Sequence, residues 1–356
     1  MDKALVNSAA VGDVRKVAML LSHGARVNAK DNGFTPLLVA AQRGYIGVCK
    51  LLLATGKANV KETTPDGGTP LLLAAQKGHT EVCELLLEKG KANIEEMGHD
   101  GTALMSAAIF GQSRTVRLLL SHGAKVDVKN RGFTPLQLAA SRGHDEVCKL
   151  LLATGKANVN ETTPQGGTPL LLAAQENHNK VCELLLANGS NLEERHPVTL
   201  HTPLHIAAIN GNKSLLELLL YHKADVSARD NKGFTPLMCA AQEGYTEVCE
   251  QLLEKGKATI EETTPDGCTA LTSAAIKGHS STVELLLSKG AKVNKRDLLL
   301  AAQKGHTKIY KQLLLAGFAS DHPDLAAEGF NTVVVGAEGN YFGKSIETGL
   351  NELLKR

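Results

Sequence analysis

The stretch from Thr332 to Arg356, TVVVGAEGNYFGKSIETGLNELLKR, contains the residue types of a phosphate-binding loop. That loop needs Gly-x-x-x-x-Gly-Lys-[Ser/Thr], because four intervening residues wrap backbone N–H groups around the phosphates. Gly343-Lys344-Ser345 fits the end of the motif, but Gly339 precedes Gly343 by four positions where the motif needs five. Only 11 residues follow Ser345, too few for the acidic strand that would hold magnesium. The spacing therefore argues against nucleotide hydrolysis.

The cysteines are the next candidates for chemistry. No Cys-x-x-Cys pair occurs, so the spacing of a zinc site is missing. A cysteine beside an apolar stripe is typical of a small core residue and of a reducing compartment. Five of the seven follow a valine and precede a leucine-rich run at one recurring position: Cys49, Cys83, Cys148, Cys182 and Cys249.

Five histidines also share one recurring position: His79, His144, His178, His279 and His306. Metal ligands must lie about 2 Å from one ion, whereas packed helices lie about 10 Å apart. We therefore expect these histidines to stabilise turns. No Ser/His/Asp or Cys/His set stands out from the repetition, so we predict no catalytic residue, no metal site, no cofactor and no enzymatic activity.

Composition excludes further classes. Lys plus Arg is 39 against 37 for Asp plus Glu, aromatic residues make up 3% and Trp is absent, which argues against nucleic-acid binding. The N-terminus lacks a basic start followed by an apolar run, and no apolar stretch approaches 18 residues. We expect a cytoplasmic chain that neither enters a membrane nor binds nucleic acid.

A repeat positions all of these residues. Thr-Pro-Leu or Thr-Ala-Leu, followed two residues later by Ala-Ala, recurs in steps of 32 to 34 residues. So steady a period predicts a solenoid. The threonines are Thr35, Thr69, Thr102, Thr134, Thr168, Thr202, Thr235 and Thr269. Degenerate copies at Leu5–Ala10 and Leu298–Ala302 bring the number of repeats to ten.

Each repeat predicts two helices. Thr35 suits an N-cap and Pro36 the first helical position. Gly44 suits a left-handed residue that ends the first helix, and a second helix with Val48 and Leu52 on one face follows. One such pair cannot bury its own apolar face, whereas ten stacked pairs can.

These motifs resemble those of ankyrin-repeat proteins. The family motif Thr-Pro-Leu-His-x-Ala-Ala is complete at Thr202–Ala208, and Gly-His pairs such as Gly78-His79 separate the helices. The resemblance covers about residues 1–317. It implies an all-α stack of helix pairs, each preceded by a β-turn finger, with fingers and first helices lining a concave side.

The chain departs from the motif at its histidine, and we expect an apolar contact to replace the usual Thr–His hydrogen bond. Other residues stand there in seven repeats: Leu38, Leu72, Met105, Gln137, Leu171, Met238 and Thr272. The junction Asn294–Asp297 lacks most of a finger, so we expect the last repeat to dock closely.

A longer period overlies the short one. Gly-Phe-Thr-Pro-Leu begins at Gly33, Gly132 and Gly233, about 100 residues apart, which indicates three copies of a block of three repeats. Phe34, Phe133 and Phe234 stand directly before the motif threonine.

The resemblance implies that partner contacts come from the residue before this threonine, from the finger tips and from the two residues after Ala-Ala. The phenylalanines are either partner anchors or residues that pack across fingers. The candidate partner-binding residues are Phe34, Phe133, Phe234, Ile109, Phe110, Ile209, Ile276, Arg43, Lys77 and Arg142.

We therefore predict a monomeric scaffold or adaptor, residues 1–317, that binds a protein or peptide on its concave face. The alternative is a spacer or a host-directed effector whose C-terminal tail, residues 318–356, carries the activity. Ser345 could cap a short helix over 345–355, with Ile346, Leu350, Leu353 and Leu354 at helical intervals. This helix would cover the last repeat. A flexible tail and the start of a further domain are the other possibilities.

Overall fold

The structure, a computed structural model, describes the backbone of residues 1–321 and the side chains of residues 1–317. This part of the chain holds twenty helices and no β-strand. Consecutive helices pair to form ten repeats, numbered 1 to 10 along the chain. In order, the helices are α1 (Asp2–Ala10), α2 (Val14–Ser22), α3 (Pro36–Arg43), α4 (Ile46–Ala54), α5 (Pro70–Lys77), α6 (Thr80–Glu88), α7 (Ala103–Ile109), α8 (Ser113–Ser121), α9 (Pro135–Ser141), α10 (Asp145–Leu152), α11 (Pro169–Gln175), α12 (Asn179–Ala187), α13 (Pro203–Ile209), α14 (Lys213–Tyr221), α15 (Pro236–Glu243), α16 (Thr246–Glu254), α17 (Ala270–Lys277), α18 (Ser280–Ser288), α19 (Lys295–Gln303) and α20 (Thr307–Asp321).

The predicted start and stop signals of the first helices are confirmed. Thr35 is the N-cap of α3, and its hydroxyl accepts a hydrogen bond from the backbone N–H of Leu38 at 3.3 Å. Pro36 occupies the first helical position, where its missing N–H leaves no helical bond unmade. Gly44 ends α3 with φ of 77°, a left-handed conformation that suits glycine.

The chain divides into two compact parts, residues 1–236 and residues 237–356, and the division falls at the first residue of α15. In the first part, the first helices pack in the order α1, α3, α5, α7, α9, α11 and α13, and the second helices from α2 to α14 follow the same order. In the second part, α17 packs against α19, and α16, α18 and α20 pack in sequence. The all-α repeat solenoid predicted from the sequence is thereby confirmed.

The core consists of small and aliphatic side chains from both helices of each repeat. Ala40 and Ala41 of α3 are fully buried, as are Val48, Cys49 and Leu52 of α4. Alanine at the contacts lets neighbouring first helices approach closely, while valine, cysteine and leucine fill the space between second helices. Each repeat therefore buries its apolar face against its neighbours in sequence.

The cysteines confirm their predicted role as core residues. All seven are buried free thiols. Burial raises the pKa of Cys49, Cys83, Cys148, Cys182 and Cys249 to about 12. Because the thiolate is the nucleophile and metal ligand, these side chains are chemically inert in the folded chain.

The last helix continues to Asp321, so the predicted domain boundary at residue 317 lies inside α20. Leu299 is 55% exposed, whereas Leu38, which holds the same position before Ala-Ala in repeat 2, is fully buried. The predicted capping segment 345–355 and the glycine-rich stretch around Lys344 lie outside the described residues.

Candidate functional site

In the first compact part, residues 1–236, we call the fingers together with the first helices the finger face. The motif threonines anchor it: Thr35, Thr102 and Thr202 are buried and cap their helices. The residue before each threonine therefore lies at a fixed place, between the finger and the first helix. Phe34, Phe133 and Phe234 occupy this place in repeats 2, 5 and 8, and all three belong to the first compact part.

The finger backbone fixes each phenylalanine. Phe34 exchanges backbone hydrogen bonds with Asp31, and Phe133 does so with Asn130, at 2.9 to 3.0 Å. Phe234 is held differently: its N–H donates to the Asp230 carboxylate at 2.8 Å, and its carbonyl accepts from the Asp230 N–H at 2.9 Å. The backbone is thus fixed before any ligand binds.

Successive fingers pack on one another where the glycine of Gly-Phe-Thr-Pro meets the next proline. A Cβ on Gly33 would lie 2.8 Å from Pro65 Cγ, and one on Gly132 would lie 2.2 Å from Pro164 Cγ. Both glycines have φ of 83°, so this close approach and the backbone conformation both require glycine.

Ion pairs repeat the same contact 99 residues apart. Lys30 pairs with Glu62 at 2.7 Å, and Lys129 pairs with Glu161. The lysine in each pair lowers the pKa of the glutamate carboxyl. The period of three repeats found in the sequence therefore recurs in the structure as this lysine–glutamate ion pair.

The candidate partner-binding residues differ in exposure. Phe34, Phe133 and Phe234 are half-buried, as are Ile109, Ile209 and Ile276, while Phe110 is 44% exposed. Arg43, Lys77 and Arg142 are exposed at the ends of α3, α5 and α9. Ile276 lies in the second compact part and the others in the first. Half-burial is compatible with both roles of the phenylalanines, packing and partner contact.

At the position of the motif histidine, the expectation that an apolar contact replaces the Thr–His hydrogen bond is only partly met. Apolar side chains do fill the position in repeats 2, 3, 4, 6 and 8, where Leu38, Leu72, Met105, Leu171 and Met238 are buried. The expectation of an apolar contact is wrong for the other two departures. Buried Gln137 donates to the carbonyl oxygen of Glu161 at 2.7 Å, and the Thr272 hydroxyl donates to the buried Asp297 carboxylate at 2.6 Å. These hydrogen bonds tie one repeat to the next.

His205, in the complete motif, makes the same kind of link. Its Nδ1 accepts from the Thr202 N–H at 3.3 Å and lies 2.9 Å from the Thr202 hydroxyl oxygen. Its Nε2 lies 3.0 Å from the carbonyl oxygen of Phe234 in the next finger, a distance at which Nε2–H donates. Burial lowers the pKa of His205 to about 4, so the ring is neutral at pH 7.

Four of the five recurrent histidines have the turn-stabilising role that was predicted, and the turn belongs to the preceding repeat; the His178 ring covers Gly143 of that turn without a side-chain hydrogen bond among the described residues. His79 Nε2 lies 3.1 Å from the Gln42 carbonyl oxygen, and its ring covers Gly44. His144, His279 and His306 contact the carbonyl oxygens of Ile109, Gln242 and Ile276 in the same way. Within residues 1–321, no group of three or more His, Cys, Asp or Glu side chains could hold a metal ion.

A hollow of about 290 Å³ opens on the finger face between repeats 3 and 4. The residues before the motif threonine here are Gly68 and Gly101, whereas repeats 2 and 5 have phenylalanine at this position. Sequence reasoning missed this site, although two small residues between two phenylalanines were a readable signal. The hollow is lined by Thr64, Asp66, Gly68, Leu72, Leu73, Gln76, Gly98, His99, Asp100, Gly101 and Ser106.

Comparison with known families decides the identity of the fold. A family model of three ankyrin repeats matches five segments: residues 2–64, 56–130, 126–196, 204–297 and 256–328. The chain belongs to the ankyrin-repeat family. Ankyrin repeats are general protein–protein interaction modules and are typically not catalytic. A search of curated proteins gave no significant match. No helix in the described part of this ankyrin-repeat chain has the length and apolar character needed to cross a membrane.

Proposed function

We propose that the finger face of residues 1–236 binds a protein or an extended peptide, and that Phe133 and Phe234 anchor it. One observation carries the proposal: the stack tolerates Gly68, Gly101, Gly167 and His201 at the position of the phenylalanines, so the fold does not require bulk there. The aromatic side chains are half-buried on a surface whose backbone is already fixed. Rigid aromatic groups of this kind commonly contribute about 2 kcal/mol or more when central to an interface.

The test begins with affinity capture from a cytosolic lysate, made with the full chain and with a chain lacking residues 318–356. A partner retained by both would bind the repeats, whereas a partner that only the full chain retains would favour an effector whose tail carries the activity. The affinity of the purified partner is then measured.

The decisive variant is Phe133→Ala with Phe234→Ala. We expect it to weaken partner binding at least tenfold, which corresponds to about 1.4 kcal/mol, with little change in melting temperature. Tyr221→Ala is the matched control, because Tyr221 is an aromatic residue, 81% exposed, at the end of the second helix α14. Unfolding of the double variant, or binding equal to that of the parent, would show that the phenylalanines are packing residues.

A further inference from the structure

The hollow between repeats 3 and 4 has an acidic rim and an apolar floor. Asp66 and Asp100, from two successive fingers, are among the residues that line it, as are Leu72 and Leu73 of α5. No lysine or arginine is among the residues that line it. Such a site fits a side chain that is apolar along its stem and cationic at its end.

His99 positions the second carboxylate. Its Nε2 lies 2.8 Å from Arg131 Nη2 and accepts from that guanidinium, so Nδ1 carries the proton and donates to Asp100 Oδ1 at 3.0 Å. Asp100 Oδ1 is therefore engaged, and Oδ2 has no hydrogen-bond partner among the described residues. Among the described residues, the Asp66 carboxylate has neither an ion pair nor a hydrogen-bond partner.

The chain itself shows which group this finger turn binds. The turn Thr-Thr-Pro-Asp-Gly of residues 63–67 recurs at residues 263–267, where Asp266 takes the place of Asp66. There Arg296, from the start of the following repeat, places Nη2 3.1 Å from Asp266 Oδ2, and Nη1 donates to the Asp266 carbonyl oxygen. Thr64 and Thr264 each accept from the N–H four residues later at 2.9 Å, so this hydrogen bond is common to both turns. In the second turn the Thr264 hydroxyl also donates to Asp266 Oδ1 at 2.5 Å.

We propose that the hollow between repeats 3 and 4 binds an arginine side chain of the partner. Asp66 and its turn take the guanidinium as Asp266 takes that of Arg296, Asp100 binds it from the opposite side, and Leu72 and Leu73 contact its aliphatic stem. A guanidinium suits this site better than an ammonium, because its planar fork presents donors to two acceptors at once. The proposal rests on the proposed function, since it names a side chain of the partner that binds the finger face.

The probes are N-acetyl-arginine methylamide, the lysine analogue, and the citrulline analogue, which has the shape of arginine without its charge. Each is titrated into the full chain while backbone amide NMR signals are recorded. We expect the arginine probe to shift the amides of Gly68, Gly98 and Gly101 saturably, and the citrulline probe to leave them unchanged. Asp66→Asn and Asp100→Asn should each weaken the arginine probe about fivefold, the upper range for one exposed ion pair. Asp127→Asn, the same charge change at an exposed residue outside the hollow, should have no effect.

Three results would overturn the proposal: no saturable shift, equal shifts with the lysine probe, or equal affinity for Asp66→Asn and the parent chain. They are distinguishable from failure of the proposed function. A partner that is lost with Phe133→Ala and Phe234→Ala but retained by both aspartate variants would leave the binding surface intact and remove only the arginine site.

Discussion

His205 makes the stability of repeat 7 depend on pH. The folded chain holds the ring neutral because it is buried and because Nδ1 already accepts from the Thr202 N–H, which leaves no room for a second proton. The charged groups around it are few. His201 stacks on the ring at 5.7 Å and lies 3.5 Å from the Asp230 carboxylate, and Arg195 adds a repulsive charge.

The size of the effect follows from the pKa of about 4 in the folded chain against 6.5 in the unfolded one. Because the folded value is the lower, this stabilisation is complete above pH 6.5 and is lost as the pH falls from 6.5 towards 4. Each pH unit corresponds to about 1.4 kcal/mol, so about 2 kcal/mol is lost at pH 5 and about 3 kcal/mol in full. Since burial also lowers the pKa of His201, its contribution has the same sign.

The assay is amide hydrogen exchange of the segment 202–209, because repeats couple mainly to their neighbours and the opening is local. After correction for intrinsic rates, we expect the opening constant to rise about 30-fold between pH 7.5 and pH 5. His205→Leu installs the residue found at this position in repeats 2, 3 and 6. It should cost about 1 kcal/mol at pH 7.5, since the Phe234 carbonyl keeps its bond from Asp230, and should remove most of the acid response.

The segment around α5 is the internal control, since Leu72 stands at its motif position. The reasoning would be refuted if parent and His205→Leu opened by the same factor on acidification, or if the His205 ring titrated near 6.5 by NMR.

Three further predictions concern the repeats themselves. Leu170→Asp places a charge at a buried helix contact and should lower the free energy of unfolding by several kcal/mol. Chemical unfolding should then show more than one transition, because repeats couple mainly to their neighbours. A single unshifted transition would count against this nearest-neighbour coupling. Burial raises the pKa of the Asp297 carboxyl. Its contribution to folding stability is therefore present at low pH, where the carboxyl is protonated, and is lost as the pH rises through the raised pKa. We expect hydrogen exchange to show that Asp297→Asn stabilises the segment 295–303 at pH 7 but not at pH 3. Finally, a thiol reagent at about pH 8 should leave Cys49, Cys83 and Cys148 unmodified in the folded chain and label them in urea, since their pKa values lie near 12; rapid labelling without urea would contradict this.

The repeat, its helices and their ends were predictable because their causes are local. Thr35 caps the helix that it precedes, Pro36 fits only the first turn, and Gly44 adopts the left-handed conformation whatever lies beyond it. The role of the cysteines was equally local, since a position on the leucine-rich face of a helix is buried in any stack. These signals need no knowledge of the neighbouring repeat.

The links between repeats were not predictable in this way, because each depends on two residues far apart in sequence. Nothing in the sequence near Thr272 indicates that its hydrogen-bond partner is Asp297, which follows the shortened finger of the last repeat. Gln137 likewise finds its acceptor at the Glu161 carbonyl oxygen, on the following finger. An apolar contact was a reasonable expectation for a buried site, but a buried polar group must be paired, and the following repeat supplied the pairs.

The same distinction explains why sequence found the phenylalanines but not the hollow. An aromatic side chain is visible in the sequence, whereas the hollow is formed jointly by two successive fingers and by residues of α5 such as Leu73. A comparison of repeats shows the difference between the two turns: Asp66 and Asp266 stand in identical turns, and Asp266 pairs with Arg296, which follows the shortened finger of repeat 10. Repeat 4 begins with a full finger and has no such arginine beside Asp66, and our proposal is that a partner supplies the guanidinium there.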